Sequence, residues 1–259
     1  MLEFDEATTK LLEVSYQGGD VRRRRRKALD ALDLKGGETV VDVGCGNGLL
    51  TEELAEAVGA TGRVIGIDPS ADMRAPAAAR CAKFPVVTIE DGVADALPLP
   101  DCSADKIAAV QVLEYLPDIP AALVEAFRVL RPDGSLVAID TGCHTLDWYS
   151  EDDMRMRRMQ NAWDHHYTEA RVAAHFPNFA RKAGFVSPQI VPFTYCDNTL
   201  RPDGIAFMLL HLMSRYAVEN GHVADDEAKA WFDEQIKLSE DGSFFFSLTY
   251  FLMSAQKPN

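Results

Sequence analysis

The sequence predicts an α/β fold in which a doubly wound parallel sheet is covered by helices. Three of the four residues before Gly44 are apolar and β-branched. They lead into a glycine-rich turn and then into a helical pattern over residues 49–58, as in a buried parallel strand followed by a helix. Four further apolar runs alternate with helical patterns along the next hundred residues or so, and this alternation is typical of parallel sheets. The predicted strands after the first are 63–68, 84–89, 106–112 and 135–140, followed by 189–195 and 243–256.

Three glycines occupy alternate positions after the first predicted strand, at Gly44, Gly46 and Gly48. Glycine allows φ above zero and lets a ligand approach the backbone, while the first N–H groups of the following helix face that ligand. Asp68, at the end of the second predicted strand, has the place at which doubly wound folds bind a ribose diol. A small molecule that contains a nucleoside is therefore the first hypothesis.

Both dinucleotide enzymes and adenosylmethionine enzymes use this arrangement. The dinucleotide fingerprint requires two spacers before its third glycine, whereas Leu49 and the alternate glycines depart from it. The string Asp42-x-Gly44-x-Gly46-x-Gly48, followed by Asp68, resembles the first two motifs of the class I S-adenosylmethionine-dependent methyltransferases. The segment 92–105 is similar to the adenine-binding loop of the same family, in particular of its small-molecule, ubiquinone/menaquinone-methyltransferase-like type 11 group.

This resemblance implies a seven-stranded, mostly parallel sheet whose last strand is antiparallel and lies between the fifth and sixth. It also implies S-adenosyl-L-methionine as cofactor. The positions that match the cofactor-binding residues of the family are Tyr16, Arg26, Asp42, Gly44, Gly46, Asp68, Met73, Val93, Ala94 and Gln111. Val93 replaces the acidic residue that usually accepts the adenine amino group, so that hydrogen bond could come from Asp91, from Asp95 or from neither.

Arg22–Lys27 is the one strongly basic block of the chain. One interpretation is a solvated helix face. The other follows from the resemblance, in which an aromatic residue and an arginine upstream of the first motif reach the methionine end of the cofactor. Tyr16 and Arg26 are nearest to those positions.

The candidate general bases lie at the end of the fifth strand and after it. The resemblance predicts a histidine where this chain has Tyr115, so the candidates to serve a hydroxyl acceptor are His144, His165, His166 and Asp140. His144 is the first choice because it lies four residues past the fifth strand. A soft sulfur or a neutral amine acceptor needs no base, and the sequence leaves this open.

We expect a single domain over residues 1–259. Residues 1–37 would form an N-terminal helical cap, 38–140 the cofactor-binding half, and 175–199 with 242–259 the remainder of the sheet. Residues 141–174 and 200–241 are helical insertions rich in aromatic and Met residues. They are interpreted either as a hairpin with its own core or as lids that close a partly apolar pocket.

Composition narrows the function further. The formal net charge of −14 disfavours nucleic acid and anionic membrane as partners, because both are bound through Lys and Arg. Five scattered cysteines without a Cys-x-x-Cys pair fit reduced thiols in a cytoplasm, and their spacing leaves open a resemblance to arsenite methyltransferases, which need several placed cysteines. We expect no metal site. The absence of a long apolar run predicts a cytoplasmic protein, with monomer and homodimer both open.

We expect methyl transfer from S-adenosylmethionine to a small molecule, with O, N, S or C as the acceptor atom. Two alternatives remain at this point. An NAD-linked oxidoreductase would keep Asp68 on the ribose but lacks both the third-glycine spacing and a Tyr-x-x-x-Lys pair. A cofactor-binding protein without catalysis is compatible with Val93 and Tyr115.

Overall fold

The computed structural model describes residues 6–259, with side chains of the first helix described from residue 11 onward. The first five residues of the expected N-terminal cap lie outside this range. The helices are α1 (Glu6–Gln17), α2 (Gly19–Leu32), α3 (Leu49–Val58), α4 (Ala71–Cys81), α5 (Ile119–Val129), α6 (Asp153–Asp164), α7 (Val172–Ala183), α8 (Ile205–Glu219) and α9 (Asp225–Glu240). The strands are β1 (Thr39–Val43), β2 (Arg63–Ile67), β3 (Val87–Glu90), β4 (Ala104–Val110), β5 (Leu130–Thr141), β6 (Asp147–Trp148), β7 (Val186–Asp197) and β8 (Phe246–Gln256).

The strand order confirms the predicted doubly wound topology. It runs β3-β2-β1-β4-β5-β8-β6, and β7 also pairs with β8. Parallel pairs join β1 to β2, β2 to β3, β1 to β4 and β4 to β5. The order therefore reverses between β1 and β4, and ligands of such sheets bind beyond the carboxyl ends of the strands at this reversal.

The last strand, β8, has the predicted place in the sheet. It pairs with β5 and with β7, the fifth and sixth strands expected from the sequence. The prediction of seven strands is short by one, because β6 pairs antiparallel with the start of β8 through Asp147 and Trp148. A strand of two residues has no alternation that a sequence pattern could reveal.

The described chain falls into two compact units, each formed by several segments. The larger unit comprises Arg25–Thr141, Arg171–Pro192 and Phe251–Asn259. The smaller unit comprises the chain up to Arg24, Gly142–Ala170 and Phe193–Tyr250. In the part of the chain that the structure describes, no helix combines the length and the apolar character that a membrane span requires.

The larger unit is built on the parallel strands. Its central strands are buried on both faces, since four of the five residues of β1 and four of the five residues of β2 are buried, as expected of strands in a parallel sheet. In α3 the residues at helical spacing, among them Leu50, Leu54 and Val58, are buried. Burial of this face, rather than helix propensity, stabilises so short a helix.

The smaller unit has an aromatic core of its own. Trp231 of α9 is fully buried, and its ring meets the edge of Trp148 at a centroid distance of 5.2 Å. The indole Nε1 of Trp148 donates to Oε1 of the buried Gln235 at 2.8 Å. Met156 and Met159 of α6 are buried as well. The aromatic and Met residues of segment 141–174 thus contribute to a core within this unit.

Candidate functional site

The glycine turn follows β1 and is fixed to the end of β2. Gly44, Gly46 and Gly48 have φ values of 66°, 53° and 83°. These are left-handed conformations that favour glycine. The backbone N–H groups of Gly44 and Cys45 both donate to the carbonyl oxygen of Ile67, at 2.7 and 3.1 Å. The turn is therefore held in one conformation by the neighbouring strand.

The three glycines differ in what surrounds them. A Cβ atom on Gly44 would lie 2.5 Å from Cγ2 of Val112, and one on Gly48 would lie 2.9 Å from Cα of Ala77. Apart from its two chain neighbours, no residue that the structure describes would come within 4 Å of a Cβ atom on Gly46. Packing thus requires glycine at the first and third positions, whereas the second leaves open space in which a ligand can reach the backbone.

Asp68 lies one residue past β2 and contacts this turn. Its Oδ2 atom accepts the N–H of Gly46 at 3.0 Å, and its Oδ1 atom accepts the N–H of Ser70 at 2.9 Å. The side chain is 8% exposed. Each carboxylate oxygen has a second lone pair and can accept a further hydrogen bond, so the residue fits the two hydroxyl groups of a ribose.

Asp42 occupies the buried end of β1. Its Oδ2 atom accepts the hydroxyl of Thr51 at 2.6 Å. Burial raises the pKa of this carboxyl to about 7, and the charge of Asp68 adds to the increase while the Thr51 hydrogen bond opposes it. Asp42 therefore contacts α3 through Thr51 and stabilises the start of the helix that follows the glycine turn.

The residues expected around an adenine lie on α4 and the loop after β3. Met73 and Ala94 are half-buried, whereas Val93 is 46% exposed. The carbonyl oxygen of Val93 accepts the N–H of Ala96 at 3.2 Å. Of the acids that could replace the missing adenine partner, Asp91 is paired with Arg74 at 2.8 Å and Asp95 is exposed.

Gln111 follows β4 in a left-handed conformation, with φ of 59°. Its amide Nε2 donates to Oε1 of Glu114 at 2.8 Å and to Oγ1 of Thr141 at 2.9 Å. The amide hydrogens of the predicted cofactor residue are thus used within the protein. Because Val112, the next residue, lies against Gly44, the turn after β4 is adjacent to the glycine turn.

Tyr16 and the arginine run are the expected contacts to the methionine end of the cofactor. Burial raises the pKa of Tyr16, and the charge of Arg24 opposes this increase. Arg26 is exposed, while Arg24 and Arg25 are each only 6% exposed. Arg25 pairs with Glu53 at 2.7 Å. The interpretation of Arg22–Lys27 as a solvated helix face therefore holds for only part of this basic block, because Arg24 and Arg25 are buried.

The three candidate histidines all belong to the smaller unit. His144, in a short 3-10 helix over Cys143–Thr145, and His165 are exposed. Burial raises the pKa of the Asp164 carboxyl, and the charges of His144 and His165 oppose this increase. Both histidines therefore lie close enough to Asp164 for a favourable charge interaction.

His166 differs from the other two because it is half-buried and stacks on Trp163 at a centroid distance of 4.3 Å. Burial lowers the pKa of its imidazole to about 4. His166 is thus neutral at physiological pH. A base with so low a pKa is weak at pH 7, because proton transfer is most efficient when the pKa lies near the working pH.

Among residues 11–259, whose side chains the structure describes, no group of three or more His, Cys, Asp or Glu residues is arranged to hold a metal ion. The buried carboxyl groups of Glu114 and Asp140 beside Gln111 were not among the predicted cofactor-binding residues. The sequence carried a partial signal for them, since Glu114 follows β4, Asp140 lies at the end of β5, and the carboxyl ends of these two parallel strands meet at one edge of the sheet.

Comparison with known proteins agrees with this geometry. Residues 41–138 match the model of a family described as a methyltransferase domain. The chain is 30% identical over 188 residues to a demethylmenaquinone methyltransferase of Anoxybacillus flavithermus, and the match covers 66% of this chain and 79% of that protein. It is 35% identical over 237 residues to an uncharacterized 37.1 kDa protein in transposon TN4556 of Streptomyces fradiae, which covers 88% of this chain and 65% of that protein.

A likeness in fold extends to solved structures. Phosphoethanolamine N-methyltransferase 2 of Haemonchus contortus, in complex with S-adenosyl-L-methionine, superposes with a TM-score of 0.59 at 16% identity. The match covers 92% of this chain and 53% of that chain. The chain thus spans about half the length of this neighbour and less than two thirds of the transposon protein.

Proposed function

The chain belongs to the class I S-adenosylmethionine-dependent methyltransferases, and we propose that it transfers the sulfonium methyl group of this cofactor to a small-molecule acceptor. S-adenosyl-L-methionine is its cofactor. The observation that carries the proposal is the glycine turn that Asp68 closes: Gly46 has open space above its Cα atom, and Asp68 Oδ2 lies 3.0 Å from its nitrogen. Because a dinucleotide enzyme would also keep Asp68 on the ribose, it is the spacing of the glycines, with Leu49 after Gly48, and the family match that favour S-adenosylmethionine over the dinucleotide alternative.

On the cofactor side, we assign the ribose diol to the carboxylate of Asp68 and the methionine end to the backbone around Gly44 and Gly46. Met73, Val93 and Ala94 would surround the adenine, with the N–H of Ala94 directed to a ring nitrogen. Arg74 lies between Asp68 and Asp91, and donates at 2.7 Å to the carbonyl oxygen of Asp68 and at 2.8 Å to Oδ1 of Asp91. This pairing favours an adenine amino group that has no carboxylate partner.

Methyl transfer from a sulfonium requires the protein mainly to hold the two reactants in the correct geometry. A sulfonium methyl group is strongly activated, so transfer requires an acceptor held in line with the S–CH₃ bond and a site from which water is excluded. If the acceptor is a hydroxyl, a base would remove its proton, and His144 is our first assignment. The Asp164 carboxyl near it would stabilise the imidazolium that forms.

Several observations support a small acceptor. The net charge of −14 disfavours nucleic-acid substrates. The predicted lid segments 141–174 and 200–241 bring together apolar and aromatic side chains, of which Trp163 and Tyr216 meet edge to face at 5.6 Å. We propose that such side chains give the acceptor partly apolar surroundings. The five free cysteines support the proposed cytoplasmic location.

Calorimetric titration of the full chain with S-adenosylmethionine, S-adenosylhomocysteine and NAD tests the cofactor. Binding of the first two but not of NAD is expected, and the reverse pattern would contradict the proposal. Turnover is then followed by mass spectrometry on a panel of metabolites. The panel includes demethylmenaquinone and phosphoethanolamine, because a similar protein is named a demethylmenaquinone methyltransferase and a structural neighbour a phosphoethanolamine N-methyltransferase. Cofactor binding without a methylated product on any small molecule would favour the non-catalytic alternative.

A further inference from the structure

The turn after β4 is held by two buried carboxyl groups. Asp140 Oδ1 accepts the backbone N–H of Val112 at 3.1 Å and that of Glu114 at 3.3 Å. Glu114 Oε1 accepts Gln111 Nε2 at 2.8 Å, and Glu114 Oε2 accepts the N–H of Thr141 at 2.8 Å. One carboxyl thus binds the backbone of the turn, and the other joins the side chain of Gln111 to the end of β5.

This turn shapes the cofactor site from its β4 side. Val112 fills the space in which Gly44 would carry a side chain, as close as 2.5 Å to an added Cβ atom. Gln111 has a φ of 59°, which costs about 1 kcal/mol or more in a residue other than glycine and persists only when its surroundings impose it. The surroundings that impose it are the two carboxyl groups and the carbonyl oxygen of Ile139, which accepts the N–H of Gln111 at 2.7 Å.

The two carboxyls cannot both be ionised at low cost. Glu114 and Asp140 are 0% and 1% exposed, and like charges this close in a buried site disfavour each other. Burial and the charge of Glu114 both raise the pKa of Asp140 well above its ordinary value. The hydrogen bonds show which group keeps the charge, because Glu114 accepts donors on both oxygens, including the hydroxyl of Thr141 at 3.3 Å.

Asp140 has the complementary arrangement. Only its Oδ1 atom accepts hydrogen bonds, and Oδ2 has no hydrogen-bond partner among the described residues. A carboxyl that accepts on one oxygen alone fits a neutral acid whose proton is on the other oxygen. The hydrogen-bond geometry thus fits one negative charge on Glu114 and one proton on Asp140.

We propose that Glu114 and Asp140 are positioning residues for the cofactor: they share one proton, carried by Asp140, and clamp the turn 111–114 against Gly44. The inference rests on the proposed function, because it assigns the clamped turn to the S-adenosylmethionine site. Release of the clamp lets Gln111 leave its left-handed conformation, and Val112 then moves relative to Gly44.

The test makes one chemical change at two neighbouring positions. Asp140→Asn keeps a neutral group with an acceptor for the N–H groups of Val112 and Glu114, so its Kd for S-adenosylhomocysteine is expected to stay within about threefold of that of the unaltered protein. Glu114→Gln removes the charge and sets an NH₂ group against the donors of Thr141 or Gln111. Its Kd is expected to rise roughly tenfold or more, as for lost hydrogen bonds to a charged group.

Rescue separates positioning from a general loss of stability. Gly at position 111 adopts φ near 60° without help, so the double variant Glu114→Gln with Gln111→Gly should recover part of the lost affinity. Thermal unfolding is measured on every variant. Equal Kd values for Asp140→Asn and Glu114→Gln, or a folded Glu114→Gln protein with unchanged affinity, would overturn the proposal.

Infrared spectroscopy of the full chain covers the case in which Glu114→Gln does not fold. A band of a protonated carboxyl at neutral pH, absent in Asp140→Asn, is expected. If the band persists in Asp140→Asn, the proton lies on another group and the assignment is overturned. If the unaltered protein binds no S-adenosylhomocysteine, the proposed function fails by that result alone, whereas the infrared band still reports whether the two carboxyls share a proton.

Discussion

The carboxylate of Asp68 lies across the glycine turn, and its Oδ2 atom accepts the backbone N–H of Gly46 at 3.0 Å. The end of β2 and the turn after β1 are thereby joined by a side chain as well as by the carbonyl of Ile67. A residue expected only to bind ribose thus also orders the loop that faces the ligand. Substitution at this position removes both contributions.

We therefore expect Asp68→Ala to weaken binding of S-adenosylhomocysteine by about 1.5–3 kcal/mol, or roughly one to two powers of ten in Kd. Asp68→Asn keeps one acceptor oxygen, so its Kd should lie between those of the unaltered protein and Asp68→Ala. Calorimetry measures the effect. Asp72→Ala, which removes an exposed carboxyl from the first turn of α4, is the matched control and should leave Kd unchanged. An unchanged Kd in Asp68→Ala would place the ribose elsewhere.

Gly46→Val should abolish cofactor binding in a protein that still folds. Beyond its chain neighbours, the Cβ atom of the added side chain meets no described residue within 4 Å. The side chain therefore enters the space assigned to the ligand and costs only the strain of a positive φ. Gly242→Val provides the control, since Gly242 has a φ of 73° and equally open surroundings. Circular dichroism and calorimetry should show similar stability loss in both variants but lost binding only in the first.

Asp42 should make the protein less stable as pH rises. Its folded pKa of about 7 lies above the value of about 3.9 for an unfolded chain, so between these values the unfolded state releases a proton that the folded state keeps. Stability therefore falls between about pH 4 and pH 7, by up to about 4 kcal/mol.

Asp42→Asn, which cannot titrate, should remove this slope and retain an acceptor for Thr51. Urea unfolding at pH 5 and pH 8 measures the difference, with Asp72→Asn as a control that keeps the slope of the unaltered protein. An Asp42→Asn protein with the same loss of stability between the two pH values would show that the carboxyl is already ionised at pH 5.

His166 should act in the opposite direction, at acid pH. Its folded pKa of about 4 is below the value of about 6.5 in an unfolded chain, so stability is complete above pH 6.5 and is lost as pH falls towards 4, by up to about 3 kcal/mol. His166→Phe keeps a ring on Trp163 without a titrating group. Its melting temperature should fall less between pH 7 and pH 4.5, whereas that of His222→Phe should follow the unaltered protein.

The cofactor half of the fold could be predicted because its signals are local. Gly44, Gly46 and Gly48 follow an apolar run directly, and Asp68 ends the next one. Local patterns of this kind specify a strand, a turn and a helix without reference to the rest of the chain. The sheet order then follows from the few connections that a parallel sheet allows.

Other features depend on the packing of distant segments. Glu114 and Asp140 meet only because β4 and β5 pair with Val110 opposite Ile139, and no pattern in either segment fixes that register. The arginine run shows the same limit, because five consecutive arginines have no amphipathic phase. The position of Arg26 in the sequence predicts a contact to the cofactor, yet the arginines that tertiary packing buries are Arg24 and Arg25.

All three tryptophans of the chain, Trp148, Trp163 and Trp231, belong to the smaller unit, and each is at most 5% exposed. Intrinsic fluorescence excited at the indole band therefore reports on that unit alone, whereas far-ultraviolet circular dichroism reports on the helices of both. Denaturation curves recorded with the two signals will coincide if the chain unfolds in one cooperative step. If the curves separate, their order will identify which unit opens first without any label or added probe.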